Sequence, residues 1–354
     1  MPLLAAVVVV SLGIGIGVNS SVFTWIQAMV LDPVPGVAGS GSFLLVEPRT
    51  ESGAYAGASW REYRDLREQL PAFEDLIAIR MVPLNVGEPA RTERVFGQLV
   101  SGNFFSGLRL RPAIGRVLDE GDASRPGATP VVVISHDYWQ THFDGSPDAI
   151  GRSIRVNSAP LTIVGVAPQG FQGTIVGLNF DLWVPATIAP VLQAGSRELE
   201  SRESRGYSVF GRLAREATRA QADGEVQAAM ARLASAYPDS NRGVHAELLP
   251  FWWAPRGPQR MLLPAIGILQ AMLALVLLAV CGNTANLMLA RAGSRHREMA
   301  VRLTLGCGRS RVARLVLLET VLLGAGGGVL GILIALWGSS ALRAIPCTAP
   351  FPFA

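Results

Sequence analysis

Few stretches of this sequence carry residue types that could do chemistry. "SHD", Ser135 to Asp137, holds the letters of a hydrolase triad, but neighbours on one segment cannot place a base between nucleophile and acid. His136 and His142 are six apart, which suits neither one helical face nor a zinc-ligand spacing. His245 and His296 lie far from them, and no G-x-S-x-G or H-E-x-x-H run occurs. All 31 basic residues are arginine, so these residues include neither a Walker A lysine nor an amine for Schiff-base chemistry. The sequence predicts no catalytic residue, no metal set and no cofactor. The stretch that stands out is "RHREMAVRLTLGCGRSR", 295 to 311, an arginine block with one acid, Glu298. Glu298 and Arg302 are an i,i+4 acid-to-base pair. Met299 and Leu303 share a face with Ala300 beside them, Gly306 to Gly308 break the helix, and Ser310 can cap the next. Such a helix either lies among lipid headgroups or presents a surface to a protein partner, and the residues alone leave both readings open.

The elements around that block decide what it can mean. The chain is 49% hydrophobic and only 16% charged, and the apolar excess is concentrated. Met1 to Leu31, Met261 to Ala290 and Thr320 to Leu342 carry no charged side chain, and each exceeds the roughly 20 residues needed to cross a bilayer core. Three spans follow, over 1–31, 261–290 and 315–343. A cleaved signal peptide is the alternative for the first, but a basic n-region and a small-x-small cleavage site are both missing. The third helix is expected to begin near Ser310 and run to about Leu342, with Glu319 near the inner interface.

Charge orients these spans. Residues 32–260 hold 23 arginines against 25 acids, whereas 291–314 hold seven arginines against one acid. The basicity belongs to one short loop, which the positive-inside rule places in the cytoplasm, so nucleic-acid binding is not expected. The 32–260 region is then outside. It contains no cysteine; on this topology Cys281, Cys307 and Cys347 fall in different compartments, so an intrachain disulfide is not expected. It reads as mixed α and β. "VVVIS", 131–135, is an apolar strand, and 154–166 reads as a hairpin around Asn157 to Pro160. Ser59 with Glu62, and Thr218 with Gln221, are capping-box starts to helices. Val226, Met230 and Leu233 recur at helical spacing. The expected fold class is a membrane protein with α-helical transmembrane spans and a large α+β extracytoplasmic domain. Within the spans, Gly13 and Gly17, Gly324 and Gly328, and Gly327 and Gly331 make small-xxx-small faces for close helix packing. Asn283 and Asn286, three apart near the inner end of the second span, are expected to make interhelical hydrogen bonds rather than line a transport path.

A resemblance adds to this reading. "CGNTANLMLARAGSRHREMAVRLTLGCGRSRVARLVLLET", 281–320, resembles the signature segment of MacB/FtsX-like ABC transporter permeases. "VSGNFFSGLRLRPAIGRVLDEGD", 100–122, the run 130–171 and "DLWVP" at 181 resemble their MacB-like periplasmic core domain, and "SLGIGIGVNSSVFTWIQAMVL" is similar to their first span. The likeness is closest to the branch built as a tandem duplication. It implies a non-catalytic permease subunit of an ABC-type transporter or mechanotransmission complex, with ATP hydrolysed by a separate ATPase partner. It implies that Arg297, Glu298, Met299, Ala300, Val301, Arg302, Leu303 and Gly306 dock that ATPase, within a cytoplasmic loop 291–314. It also implies a multi-pass protein of the bacterial inner membrane, in contact with lipid, with its domain facing the periplasm or outside. The family unit has four spans, so the tail 344–354 stands where a fourth is expected; the expectation is either a fragment of a longer protein or a second permease unit or homodimer partner that completes the bundle. The rival reading is a membrane-anchored extracytoplasmic binding or sensor protein without a motor. A third, an anchored envelope hydrolase, would need outer-domain carboxylates.

Overall fold

Long runs of Val, Leu, Ile and Ala without charge have no favourable place in water. In the computed structural model each becomes one continuous helix: Pro2–Leu31, Gln259–Ser294 and Arg309–Ala344. The structure describes residues 2–31, 33–88, 91–127, 129–175, 178–257, 259–294 and 309–344. They form two compact units, residues 2–28 with 261–344, and residues 29–260. The second and third helices have 36 residues each, about 54 Å at 1.5 Å per residue, against a bilayer core of about 30 Å. Their outward side chains are apolar and uncovered, Leu278 being 67% exposed and Leu322 70%. Exposure on that scale suits lipid, not water.

The other unit is built on one sheet. Its strands are β1 (Leu44–Arg49), β2 (Ala58–Ser59), β3 (Phe73–Glu88), β4 (Arg91–Val100), β5 (Ile114–Gly115), β6 (Val131–Ile134), β7 (Ser153–Val156), β8 (Ala159–Val166), β9 (Leu182–Pro185), β10 (Arg205–Leu213) and β11 (His245–Pro250). The main order is β11-β1-β10-β3-β4-β9-β6-β8-β5, with β2 on β10 and β7 joining β3 and β8. Only β4 with β9 and β6 with β8 run parallel. Because strand side chains alternate between faces, consecutive apolar residues feed two cores. Leu76, Ala78, Val132, Ile134, Leu182 and Val184 enter one; Ile77, Ile79, Val131, Val133 and Trp183 enter the other. The helices Trp60–Gln69 and Arg219–Ala236 cover the first core with Trp60, Tyr63, Leu66, Val226, Met230 and Leu233. Phe43, Phe104, Phe105, Phe171, Phe180 and Phe251 fill the second. The unit is thus a mixed α and β domain with both sheet faces covered.

Local signals behave as their chemistry requires, with two adjustments. Ser59 accepts from the Glu62 amide and Glu62 reaches back to the Ser59 amide, a complete capping box. Thr218 accepts from the Gln221 amide, but the Gln221 side chain donates to Glu225 instead of returning, so that box is half formed. The β7–β8 turn is shorter than the expected Asn157–Pro160. Asn157 (φ 47°) and Ser158 (φ 71°) make it alone, a two-residue turn matching the strand twist. Pro160 already sits in β8, opposite Arg155. Ser135 is a helix cap, its Oγ accepting from the Tyr138 amide at the start of the helix His136–Phe143. "SHD" is therefore a strand-to-helix junction.

Candidate functional site

The candidate site consists of the contacts that hold the spanning helices to each other and of those that anchor the chain where it enters the sheet. Within the helical unit, the first and third helices meet along glycine. A Cβ placed on Gly13 would stand 2.7 Å from Leu330 Cδ2, and one on Gly17 would stand 2.7 Å from Ile334 Cβ and 3.0 Å from the Gly331 carbonyl. Reciprocally, Gly331 faces Ile16 at 2.8 Å and Gly327 faces Leu12 Cβ at 2.8 Å. Separations below 3.0 Å leave no room for a side chain, so backbone approaches backbone through two interleaved small-xxx-small faces. The other predicted pair lies elsewhere: nothing stands within 4 Å of a Cβ on Gly324 or Gly328. The residues of "GAGGG" look alike in sequence; their angular position on the helix separates them.

The amides differ more from expectation. Asn283 and Asn286 are exposed on the second helix, and no hydrogen bond joins their side chains to another described residue. Asn19 and Gln270, which sequence reasoning passed over, join the first and second helices. Asn19 Nδ2 donates to the Leu273 carbonyl at 2.9 Å, and Gln270 Nε2 donates to Asn19 Oδ1 at 3.0 Å. The Gln270 Oε1 atom is buried without a hydrogen-bond partner among the described residues. The available signal was an amide within an apolar span, the same signal that Asn283 and Asn286 gave; spacing gave no hint of the partner. Arg297, Glu298, Met299, Ala300, Val301, Arg302, Leu303 and Gly306 lie outside the described residues.

In the domain, both ends of the chain are pinned. Leu31 ends the first helix, and its carbonyl lies 2.5 Å from where a Cβ on Gly41 would stand, so only glycine fits there. At the other end Arg256, three residues before the helix that begins at Gln259, reaches back into the sheet. Its Nε donates to Glu47 Oε1 on β1 at 2.6 Å, and its other nitrogens donate to the Gly206 and Tyr207 carbonyls and to Ser208 Oγ on β10. The Glu47 side chain is 1% exposed. Burial raises its carboxyl above the usual range, with Arg256 acting against that shift. A second buried pair, Arg205 with Glu62 at 2.7 Å, ties β10 to the helix Trp60–Gln69, and Asn241 donates to the same carboxylate. The sequence marked Glu62 only as a capping-box residue and did not mark Glu47. Glu47 sits among apolar residues in "FLLVEPR", but its partner is 209 positions away.

The titratable groups elsewhere are held apart. Among the described residues, no three His, Cys, Asp or Glu side chains converge as a metal site. His142 contacts Glu93 at 2.9 Å and stacks on Tyr138 at 3.9 Å between ring centroids. Beside them Asp181 is pushed up to about 6, chiefly by burial, with the charge of Glu93 adding to it. Burial pushes the Asp122 carboxyl up, but the Arg116 hydrogen bonds, the Asp119 amide and the Arg116 charge together outweigh it and hold the group below the usual range.

Comparison with known proteins places this architecture. Residues 5–229 match the MacB-like periplasmic core domain, and residues 271–353 match the FtsX-like permease C-terminal region. The chain is 25% identical over 234 residues to the probable export ATP-binding/permease protein MacB of Pseudomonas entomophila, covering 66% of this chain and 32% of that one. It is 29% identical over 231 residues to the macrolide export ATP-binding/permease protein MacB of Bordetella avium, covering 64% and 32%. The periplasmic region of MacB from Actinobacillus actinomycetemcomitans aligns with a TM-score of 0.45 at 13% identity, over 60% of this chain and 90% of that one. The chain thus spans about a third of the length of these two relatives. With its apolar helices and its covered sheet, the chain belongs to the family of MacB-like periplasmic core domains joined to an FtsX-like permease region, the ABC-transporter permeases.

Proposed function

We propose that this chain is the permease part of an ABC-type export or mechanotransmission complex in the bacterial inner membrane, with ATP hydrolysed by an ATPase outside these residues. The observation that carries the proposal is continuity. The two 36-residue helices flank the arginine-rich segment 295–308, and the chain before the second of the three spanning helices is locked into the sheet by Arg256. A displacement applied at 295–308 would pass along the chain through the helix Gln259–Ser294 to the stretch that Arg256 anchors in the sheet. The ATPase-contacting residues are Arg297, Glu298, Met299, Ala300, Val301, Arg302, Leu303 and Gly306. The arginines around them set orientation by the positive-inside rule, and Met299 with Leu303 supplies the apolar contact. The relatives are named as export proteins with both ATP-binding and permease functions, and the 354 residues here include no lysine for a Walker A loop. The chain's own role is therefore non-catalytic: the domain receives motion and acts on cargo or on a partner outside.

The test is ATP turnover of the membrane complex carrying Glu298→Arg or Leu303→Asp. The expected result is loss of permease-stimulated hydrolysis with unchanged membrane insertion. Unchanged stimulation in both variants contradicts docking at this segment and favours an anchored binding or sensor protein.

A further inference from the structure

A cleft of about 270 Å³ opens at the end of the sheet where β1 begins and β11 ends, with Phe43, Glu74, Asp75, Ser106, Arg109 and Arg212 on its walls. Two guanidinium groups share it. Arg109 follows the short helix Phe104–Gly107 with a left-handed backbone (φ 58°) that few non-glycine residues adopt. Its Nη2 donates to Glu74 at 2.8 Å. Arg212, on β10, lies 4.2 Å over the Phe43 ring and donates to the carbonyls of Gly107 (3.0 Å) and Ala38 (2.9 Å). Among the described residues no carboxylate is within ion-pair distance of it. Burial and the charge of Arg109 hold the Arg212 guanidinium below its usual range. Asp75 is bonded by Arg67 and Asn103, and Arg67 also pairs with Glu120. Glu74 pairs with Arg109 and Asp75 with Arg67, so Arg212 is the guanidinium of this cleft without a carboxylate partner among the described residues. Arg212 is fixed in place by neutral groups, with donors to spare from a guanidinium's five.

Its location narrows what could fill it. Ala38 belongs to the segment that leaves the first spanning helix, whose last carbonyl, that of Leu31, meets Gly41. Phe251 also neighbours Phe43, at 6.2 Å between ring centroids. Trp252 and Trp253 follow it, the latter 45% exposed, shortly before the helix Gln259–Ser294. Exposed indoles next to a spanning helix are residues of the headgroup layer. Planar, fixed guanidinium forks are suited to phosphate oxygens, which they bind with two parallel hydrogen bonds.

We propose that Arg212 and Arg109 form a binding site for a phosphate-bearing anion at this end of the domain. The phosphodiester of a membrane phospholipid and a soluble phosphate are the two sources of that chemistry. The test uses the delipidated full chain in detergent and native mass spectrometry, with phosphatidylglycerol, diacylglycerol and inorganic phosphate as probes. Phosphatidylglycerol is expected to bind and diacylglycerol not to. Arg109→Gln, at an exposed position, should weaken phosphatidylglycerol binding about tenfold, the scale of one charge-assisted hydrogen bond. Glu74→Gln should strengthen it several-fold by releasing Arg109, a gain that damage to the fold does not produce. Competition by inorganic phosphate assigns the site to a soluble phosphate; failure to compete assigns it to lipid. Equal phosphatidylglycerol binding in wild type, Arg109→Gln and Arg212→Lys overturns the proposal, as does a loss in Glu74→Gln matching that in Arg109→Gln.

Discussion

Arg256 offers the sharpest mechanical test, because it joins the leader of the second spanning helix to two strands. In Arg256→Met the stem is kept and the guanidinium removed. Glu47, 1% exposed on its side chain, is left without its countercharge, and the Gly206 and Tyr207 carbonyls lose donors. Removing one partner of a buried pair costs about 3–5 kcal/mol. For a unit of this size each kcal/mol moves Tm by about 2–4 °C, so a fall on the order of 10 °C is expected. The loss must also depend on pH. Burial already holds the Glu47 carboxyl above its usual range, and without the arginine nothing comparable opposes that shift. The folded variant then binds a proton more tightly than the unfolded chain does, so its stability rises as pH falls toward the unfolded value. The deficit should be largest at pH 8 and clearly smaller at pH 5. Adding Glu47→Gln removes the stranded charge and should recover part of the loss. The assay is thermal unfolding of the full chain in detergent, followed by tryptophan fluorescence. A shift under about 2 °C in Arg256→Met, or an equal shift at both pH values, would refute the clamp.

Three other perturbations check separate parts of the account. Asp181→Asn should stabilise the domain by about 1–2 kcal/mol at pH 8, after discounting a shift of about two pH units for partial exposure. Because the wild-type carboxyl is pushed up to about 6, that gain should fade toward pH 4, and a pH-independent effect would contradict the assignment. Asn19→Leu should weaken packing of the first helix against the second by about 0.6–1.7 kcal/mol, measured by unfolding in mixed micelles; no change would mean the Asn19–Gln270 contact contributes nothing. Gly331→Ile should disrupt the helical unit, since its Cβ would meet Ile16 at 2.8 Å, whereas Gly324→Ile, with open space around it, should not. Equal behaviour of the two variants would contradict the seam.

How much of this was legible in the sequence depended on the range of the interaction. The three spanning helices follow from local apolar runs, and the Ser59–Glu62 box follows from residues three apart, so both could be read directly. The sheet order could not, because β1 lies between β10 and β11, strands some 160 and 200 positions downstream, and nothing local encodes that pairing. The same reason hides Glu47 with Arg256 and Asn19 with Gln270: each residue is visibly odd in its own stretch, but its partner is more than 200 positions away. The glycines show a subtler limit. Spacing of four marks a smooth face but does not say which face meets a neighbour, so Gly327 and Gly331 pack where Gly324 and Gly328 do not. For Asn283 and Asn286, polarity within a span suggested a hydrogen bond that the described residues do not supply.

The central claim is that an ATPase docks on the segment between the second and third helices, and contact is its most direct test. A photo-crosslinking amino acid placed at position 303, activated in native membranes, should join this chain to a nucleotide-binding ABC subunit identified by mass spectrometry. The same probe at exposed Leu278 in the second helix should label lipid instead. Adducts to the ATPase from 303 alone are the predicted result. Adducts to lipid alone from both positions would contradict the account.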